Sequence, residues 1–229
     1  MKTLVLILPA LNEAEVIGKV LQQIKKTIKS LPVKTEIIVV NDGSSDKTAA
    51  IAKQQRVKVL THKINRGLGA SLGTGLAYAK LVNADYAITM DSDGQHDPDD
   101  IIKVLTPLIK DQADVVIGSR LLSDKQEMPF LRRLNNKAFN LLTFFLFGMI
   151  TTDSLSGFRG FSKKAIQKIK LKTERMEVSN EFFTEIKRHQ LHFTEVPIRV
   201  IYTDYSISKG VKPGNVFAII FRIILRLLR

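Results

Sequence analysis

Residues 86–96 run Tyr86-Ala87-Ile88-Thr89-Met90-Asp91-Ser92-Asp93-Gly94-Gln95-His96, and the change of chemistry at Asp91 decides the fold. The first five residues carry no charge and predict a short buried strand. The acidic cluster then lies at the strand's carboxyl end. Working outward, similar short apolar runs at Thr3 to Leu8, Glu36 to Val40, Val57 to Thr61 and Val115 to Ile117 predict four more strands. Between them Glu13 to Lys29, Asp46 to Gln54, Leu68 to Leu81 and Asp99 to Lys110 have helical periodicity. Strand and helix in alternation predict an α/β fold, a Rossmann-like doubly wound, mostly parallel sheet with helices on both faces.

In such sheets ligands bind beyond the carboxyl ends of the strands, where loops and helix N-termini converge. The polar clusters of this chain fall there: Asn12 and Glu13, Asn41 to Asp46, Asn65 to Gly69, Asp91 to His96, and Gly118 to Arg120. Alternate residues of an extended segment point the same way, so Asp91 and Asp93 can present two carboxylates to one point. Two carboxylates, completed by water and a phosphate oxygen, suit Mg2+ or Mn2+. The plainer reading is an acidic turn leading into the next helix. Asp42 either belongs to a turn or accepts a hydrogen bond from a nucleobase or ribose, while Asp46 suits a helix cap. Pro9, Asn12 and Glu13 admit the same two readings. Gly67, Gly69 and Gly73 beside Arg66 match neither a dinucleotide fingerprint nor a Walker loop. Arg66 reaching a ligand and glycines packing a helix onto the sheet are the two options there.

Beyond Asp124 the pattern changes to a basic, apolar stretch at Phe130 to Ile150. A strand is expected within Asp153 to Phe161, helices at Lys163 to Lys168 and Ser179 to Arg188, and a strand at Phe193 to Tyr202. The net charge of the 229 residues is +13. Residues 125–175 hold 11 basic and 3 acidic side chains and so carry most of that excess. Such a surface attracts nucleic acid, anionic lipid or a phosphorylated substrate. The absence of cysteine excludes disulfides, thiolate zinc sites and a cysteine nucleophile. The absence of tryptophan, the 7% aromatic content and the lack of common binding motifs argue against a nucleic-acid-binding module.

The ordered set Pro9-Ala-Leu-Asn12-Glu13, Val40-Asn-Asp42-Gly-Ser, Asn65-Arg66-Gly67, Asp91-Ser-Asp93-Gly-Gln95-His96, Gly118-Ser-Arg120, Ser156-Gly157-Phe158-Arg159 and Glu195-Val-Pro197 resembles the family-2 glycosyltransferases. Within them it is most similar to the dolichol- or polyprenyl-phosphate mannose and glucose synthases. The resemblance covers about residues 3–210 and implies a GT-A fold. It also implies inverting transfer of a hexose from a nucleotide diphosphate sugar, such as a UDP- or GDP-hexose. By resemblance Asp42 holds the base, Pro9 and Glu13 line the nucleotide site, and Asp91, Asp93 and Gln95 surround the metal. Arg120 with Arg132 and Arg133 falls where the family receives an acceptor phosphate. Arg159 and Asn136 belong to the same basic segment.

The acceptor sets the remaining chemistry. A hydroxyl needs a general base, for which Asp153 is the candidate, whereas a lipid phosphate is already an anion and needs cations to hold it. After the last expected strand the chain departs from the family's Arg-x-x-Gly-x-Ser-Lys pattern, keeping only Ser208 and Lys209, and acceptor identity stays open. Lys209 remains a candidate to close over the diphosphate. The expected organisation is one domain over 1–210, with a nucleotide-sugar and metal half to 124 and an acceptor half beyond it. An amphipathic helix at 211–229 carries Arg222, Arg226 and Arg229 against apolar residues and suits an anionic membrane interface. No apolar run reaches the ~20 residues a spanning helix needs. The N-terminus has no cleavage pattern, so the expected location is cytoplasmic, peripheral at the inner membrane face. Transfer to a carbohydrate hydroxyl in envelope polysaccharide synthesis, a nucleotidyltransferase and a basic nucleic-acid-binding module are the alternatives.

Overall fold

The structure, a computed structural model, describes residues 1–123, 130–201 and Tyr205, and leaves out the side chains of 130–132. Strand β1 (Thr3–Ala10) forms its centre, and its side chains alternate between two cores. Leu4, Leu6 and Leu8 pack with Ile17, Leu21 and Ile24 of α1 (Ile17–Thr27) and with Val104 and Leu108 of α4 (Ile101–Ile109). Val5 and Ile7 face the other way, against Leu72 and Leu76 of α3 (Leu68–Leu81). Each buried leucine of this kind contributes roughly 1.5–3 kcal/mol, so the strand is held from both sides. Gly75 on α3 permits that contact, because a Cβ there would collide with a methyl of Ile7.

The remaining strands are β2 (Lys34–Asn41), β3 (Lys58–Thr61), β4 (Tyr86–Thr89), β5 (Val115–Ser119), β6 (Arg159–Ser162) and β7 (Phe193–Pro197). The other helices are α2 (Thr48–Gln54), α5 (Phe130–Phe147), α6 (Lys163–Lys168) and α7 (Val178–Arg188). The seven strands form one sheet in the order β3-β2-β1-β4-β6-β5-β7. All neighbours are parallel except β6, which is antiparallel to both β4 and β5. This reversal matters for function. Because β6 runs backwards, the loop that enters it arrives at the same rim that the parallel strands reach on leaving.

Three expected elements need correction. The strand expected over Asp153 to Phe161 is limited to β6, because the amides of Thr152, Asp153, Ser154 and Phe158 donate to side chains instead of a ladder. The strand expected to reach Tyr202 ends at Pro197, and only an isolated bridge between His96 and Val200 continues it. Helix α1 starts at Ile17, so Glu13 precedes it, with its carbonyl accepting from Val16 and Ile17. No helix among the described residues is long and apolar enough to cross a membrane. Lys209 and the amphipathic helix expected at 211–229 lie outside the described residues.

Candidate active site

The end of β4 is the hinge of the site. Ser92 Oγ donates to the carbonyl of Pro9 (2.7 Å), tying the acidic turn to the end of β1. Asp91 is half-buried, and its carboxylate lies directly over Gly157, where a Cβ would come within 2.5 Å of Oδ1. Only a glycine leaves room for a carboxylate at that position. The Asp91 amide donates to Nδ1 of His96 (3.2 Å), which places the histidine proton on Nε2, 3.9 Å from Asp91 Oδ2. Burial lowers His96 to about 4, so the ring is neutral near pH 7. Asp93 accepts from the backbone amide of Gln95 (2.9 Å) and from its side-chain amide (2.5 Å). Burial raises both carboxylates, and Asp91 raises Asp93 further by like-charge repulsion, while Arg120 and Arg159 pull Asp91 down. Carboxylates so crowded favour a cation between them. Among the described residues no three His, Cys, Asp or Glu side chains converge as a complete protein cage. Two carboxylates that leave the other positions to water and substrate phosphate fit the coordination habit of Mg2+ and Mn2+.

Just past the end of β2, on the other side of β1 from β4, Asp42 is buried and turned toward the 62–67 loop. Its Oδ1 meets Nδ1 of His62 (2.7 Å) and accepts from the Arg66 amide (3.0 Å), and its Oδ2 accepts from the Gly67 amide (2.7 Å). Nε2 of His62 reaches Thr74 Oγ1 (2.9 Å), so the histidine joins β2, the loop and α3. Asp42 therefore shapes the loop whose edge it also forms. The Arg66 side chain points to Glu174 at the surface (3.2 Å). Asn12 takes a left-handed backbone (φ 54°), with its amide donating to Ser44 Oγ and its Oδ1 accepting from the Ser45 amide. The Glu13 amide donates to Thr48 Oγ1 (2.8 Å), and its carboxylate accepts from the Tyr205 hydroxyl (2.7 Å). Burial and this contact raise the Tyr205 phenol. Asp46 accepts from the amides of Ala14 and Thr48, but the N-cap of α2 is Lys47, so Asp46 stands one residue before the cap position expected of it.

The far side of the rim is built on Asp153. This carboxylate is fully buried and accepts from Arg120 three times, through the backbone amide (2.9 Å), Nε (2.7 Å) and Nη2 (2.7 Å). Asn136 of α5 supplies a fourth bond (2.6 Å). Although burial works against it, the Arg120 guanidinium keeps Asp153 below the usual carboxylate range. The 151–153 segment is itself fastened by Glu195, which accepts from Thr151 Oγ1 and from the amide and hydroxyl of Thr152. Arg159 lies behind the rim, close enough to Asp91, Asp153 and Arg120 to feel their charges, but its hydrogen bond goes elsewhere. It is buried, bonded to the Ser154 carbonyl (2.7 Å) and stacked over Phe182 at 4.5 Å, and burial lowers it to about 10. Arg133 is exposed on α5, and the Arg132 side chain lies outside the described residues.

Pro9, Asn12, Glu13, Asp42, Asp91, Asp93, Gln95, Arg120, Asn136 and Asp153 thus share one rim, whereas Arg66 and Arg159 turn to other partners. His62, His96 and Glu195 are the residues that sequence reading left without a role. His62 and Glu195 are polar side chains just past or within a strand whose partners Asp42 and Thr151 are 20 and 44 positions away, whereas His96 pairs locally with the Asp91 amide.

The family model for glycosyl transferase family 2 matches residues 5–170. An uncharacterized protein of Methanocaldococcus jannaschii is 44% identical over 225 residues, covering 96% of this chain and 90% of that one. The UDP-N-acetylglucosamine–dolichyl-phosphate N-acetylglucosaminyltransferase of Methanococcus voltae is 36% identical over 245 residues, covering 98% and 96%. Among solved structures, glucosyl-3-phosphoglycerate synthase from Mycobacterium tuberculosis in complex with Mn2+ and UDP-glucose superposes with a TM-score of 0.72. It is 20% identical, and the match covers 99% of this chain and 78% of that chain, a likeness of fold.

Proposed function

Because this chain belongs to glycosyl transferase family 2, we propose that it transfers a hexose or hexosamine, with inversion, from a nucleotide diphosphate sugar to a polyprenyl or dolichyl phosphate at a membrane surface. The Methanococcus voltae relative makes UDP-N-acetylglucosamine the first donor to try. Asp42, Pro9, Asn12 and Glu13 form the nucleoside end of the site. Asp91 and Asp93, with Gln95 beside them, would hold Mg2+ or Mn2+. When bound, that cation offsets the charge gathering on the departing nucleoside diphosphate.

The engagement of Asp153 carries the lipid-phosphate reading. A general base needs a lone pair facing the acceptor and a pKa near the working pH. The Asp153 carboxylate instead accepts from four donors, and its pKa is lowered. We therefore assign it to holding Arg120, and withdraw it as the base for a hydroxyl acceptor. Arg120, locked beside the Asp91 carboxylate, is the cation for an acceptor phosphate. An oxygen of that phosphate attacks the anomeric carbon as the bond to the diphosphate breaks. The product is a sugar phosphodiester, and the nucleoside diphosphate leaves with the bonding electrons. No proton moves, which fits a rim whose carboxylates are committed to cations.

Incubation with UDP-N-acetylglucosamine, Mn2+ and a polyprenyl phosphate is expected to yield an acid-labile lipid phosphodiester and UDP. Arg120→Ala is expected to lower turnover by roughly a hundredfold or more, a loss of one charge-assisted contact to the reacting phosphate. A product that is only an alkali- and mild-acid-stable glycoside would overturn the lipid-phosphate acceptor.

A further inference from the structure

Strand β7 sends Phe193 and Glu195 to the same side of the sheet, and Phe193 packs among the apolar residues there. Glu195 lies level with Ile117 of β5, on the side where that isoleucine is buried. A carboxylate in such a place is costly unless donors meet it. Here they come from the segment that follows α5. Thr151 Oγ1 donates to Oε1 (2.6 Å), Thr152 Oγ1 donates to Oε2 (2.9 Å), and the Thr152 amide is 3.0 Å from each oxygen. An ionised carboxylate only accepts, so the hydrogen of the Thr152 hydroxyl is committed to Glu195. The 2.6 Å contact between the Ser119 and Thr152 hydroxyls then has Ser119 as its donor, and Ser119 Oγ in turn accepts from the Leu121 amide (3.2 Å). Every hydrogen of this chain points toward Glu195. Ser119 and Leu121 flank Arg120, while Thr151 and Thr152 lead into Asp153. One carboxylate thus ties together the two backbones that carry the Arg120–Asp153 pair.

We propose that Glu195 is the positioning residue of the acceptor site: from β7 it fixes Asp153 relative to Arg120, so that the guanidinium stays aimed when an acceptor phosphate arrives. The proposal rests on the lipid-phosphate reading above and adds the residue that prepares the site for it. A phosphate that reaches Arg120 competes with Asp153 for the guanidinium and repels that carboxylate. The 151–153 segment must therefore be held by something other than Arg120. Asn140 of α5 donates to the Thr152 carbonyl (2.6 Å) and accepts from the Ser154 amide (2.9 Å), which ties the segment to the helix before it. Glu195 and the Ser119 hydroxyl instead join it to β7 and β5, the part of the sheet from which Arg120 projects. The nucleoside-binding candidates at β1 and β2 lie beyond β5, β6 and β4, so the influence of Glu195 falls on the acceptor and not on the donor.

Glu195→Gln keeps an oxygen for Thr151 and the Thr152 amide and offers its own amide to the Thr152 hydroxyl, whereas Glu195→Ala removes every bond. In the full chain, Glu195→Ala is expected to raise the KM for a polyprenyl phosphate and to lower kcat/KM by roughly tenfold to a hundredfold, as a small misplacement of reacting groups does. The Kd of UDP-N-acetylglucosamine with Mn2+ is expected to stay unchanged. Glu195→Gln is expected to remain within about threefold of the wild type, since a neutral acceptor replaces a charged one. A second readout needs no acceptor. In isotope-labelled protein the proton resonance of Arg120 Nε–H, assigned by its absence from Arg120→Lys, is expected downfield because of the bond to Asp153. It is expected to move toward the position of free arginine in Glu195→Ala and to hold its place in Glu195→Gln. Should Glu195→Ala fail to fold, Thr152→Val removes the central hydroxyl at nearly constant volume and is expected to show both effects in smaller measure. An unmoved resonance, an equal loss of donor and acceptor affinity, or a Glu195→Gln protein as impaired as Glu195→Ala would each overturn the proposal. Two further outcomes separate it from the functional reading. A resonance that moves as expected in a protein that transfers sugar to no lipid phosphate sinks that reading and leaves the hold of Glu195 on Arg120 standing. Transfer by the wild type that is matched by Glu195→Ala at every acceptor concentration sinks the role of Glu195 and leaves the reading standing.

Discussion

Asp153 shows how far a residue's chemistry depends on what surrounds it. By type and place it suited a general base, yet three donors from Arg120 and one from Asn136 make it a counter-charge. His96 makes the same point with the opposite charge. Its ordinary value near 6.5 falls to about 4 because burial against Phe158 disfavours the imidazolium. The unfolded chain therefore binds a proton over that window that the folded chain refuses. Folding stability is full above pH 6.5 and is lost as the pH falls toward 4. In His96→Asn the amide oxygen can still accept from the Asp91 backbone and does not titrate. Chemical denaturation of metal-free protein between about pH 7 and 4 is expected to show a shallower decline for this variant than for the wild type. Parallel declines would mean that His96 is not the group responsible.

At the scale of elements, most of the first half was legible. Helix α3 begins and ends at the expected Leu68 and Leu81, and each predicted strand has a counterpart within one or two residues. Strand β6 was harder to read, because the residues before it, 153–158, look extended in sequence but spend hydrogen bonds on Asn136 and Asn140 of α5, on Arg120 just past β5 and on one another. Of the glycines after β3, Gly75 packs α3 onto Ile7 of the sheet, Gly67 and Gly69 fit against the backbone of 173–174, and Gly73 makes only ordinary contacts. Gly75→Val forces two methyl groups into Ile7 and is expected to destabilise the fold by about 1–3 kcal/mol, the usual range for overpacking, as read from a lower urea midpoint at unchanged slope. Equal stability would require α3 to slide away from β1, which the same measurement on Ile7→Ala in that background would reveal.

At the scale of the whole molecule, the reversed strand β6 brings both halves of the chain to one rim. The sheet is therefore continuous from the nucleoside-binding candidates at β2 to the Glu195 clamp on β7. A ligand that bridges loops from several strands binds the folded chain and not the unfolded one. At a hundredfold excess over Kd it adds about 2.7 kcal/mol, and at this chain length each kcal/mol moves Tm by about 2–4 °C. UDP-N-acetylglucosamine with Mn2+ is accordingly expected to raise Tm by roughly 5–10 °C, and chelation of the metal to remove most of that gain. A screen of UDP- and GDP-sugars that leaves Tm unmoved with metal present would count against the donor site.

Local order decided what the sequence could show by itself. Apolar runs of period two and 3.6 placed the strands and helices, and the rule that ligands gather at strand carboxyl ends collected Asp42, Asp91, Asp93 and Arg120 into one site. Partnership across the chain was decided only in three dimensions. That Asp42 grips the 66–67 backbone, that Arg120 is locked by a carboxylate 33 positions away, that Arg159 is sunk among phenylalanines, and that α5 turns its asparagines inward are consequences of packing. A side chain's pKa and hydrogen bonds are set by the atoms within a few ångströms of it, and in this fold those atoms come from distant parts of the chain.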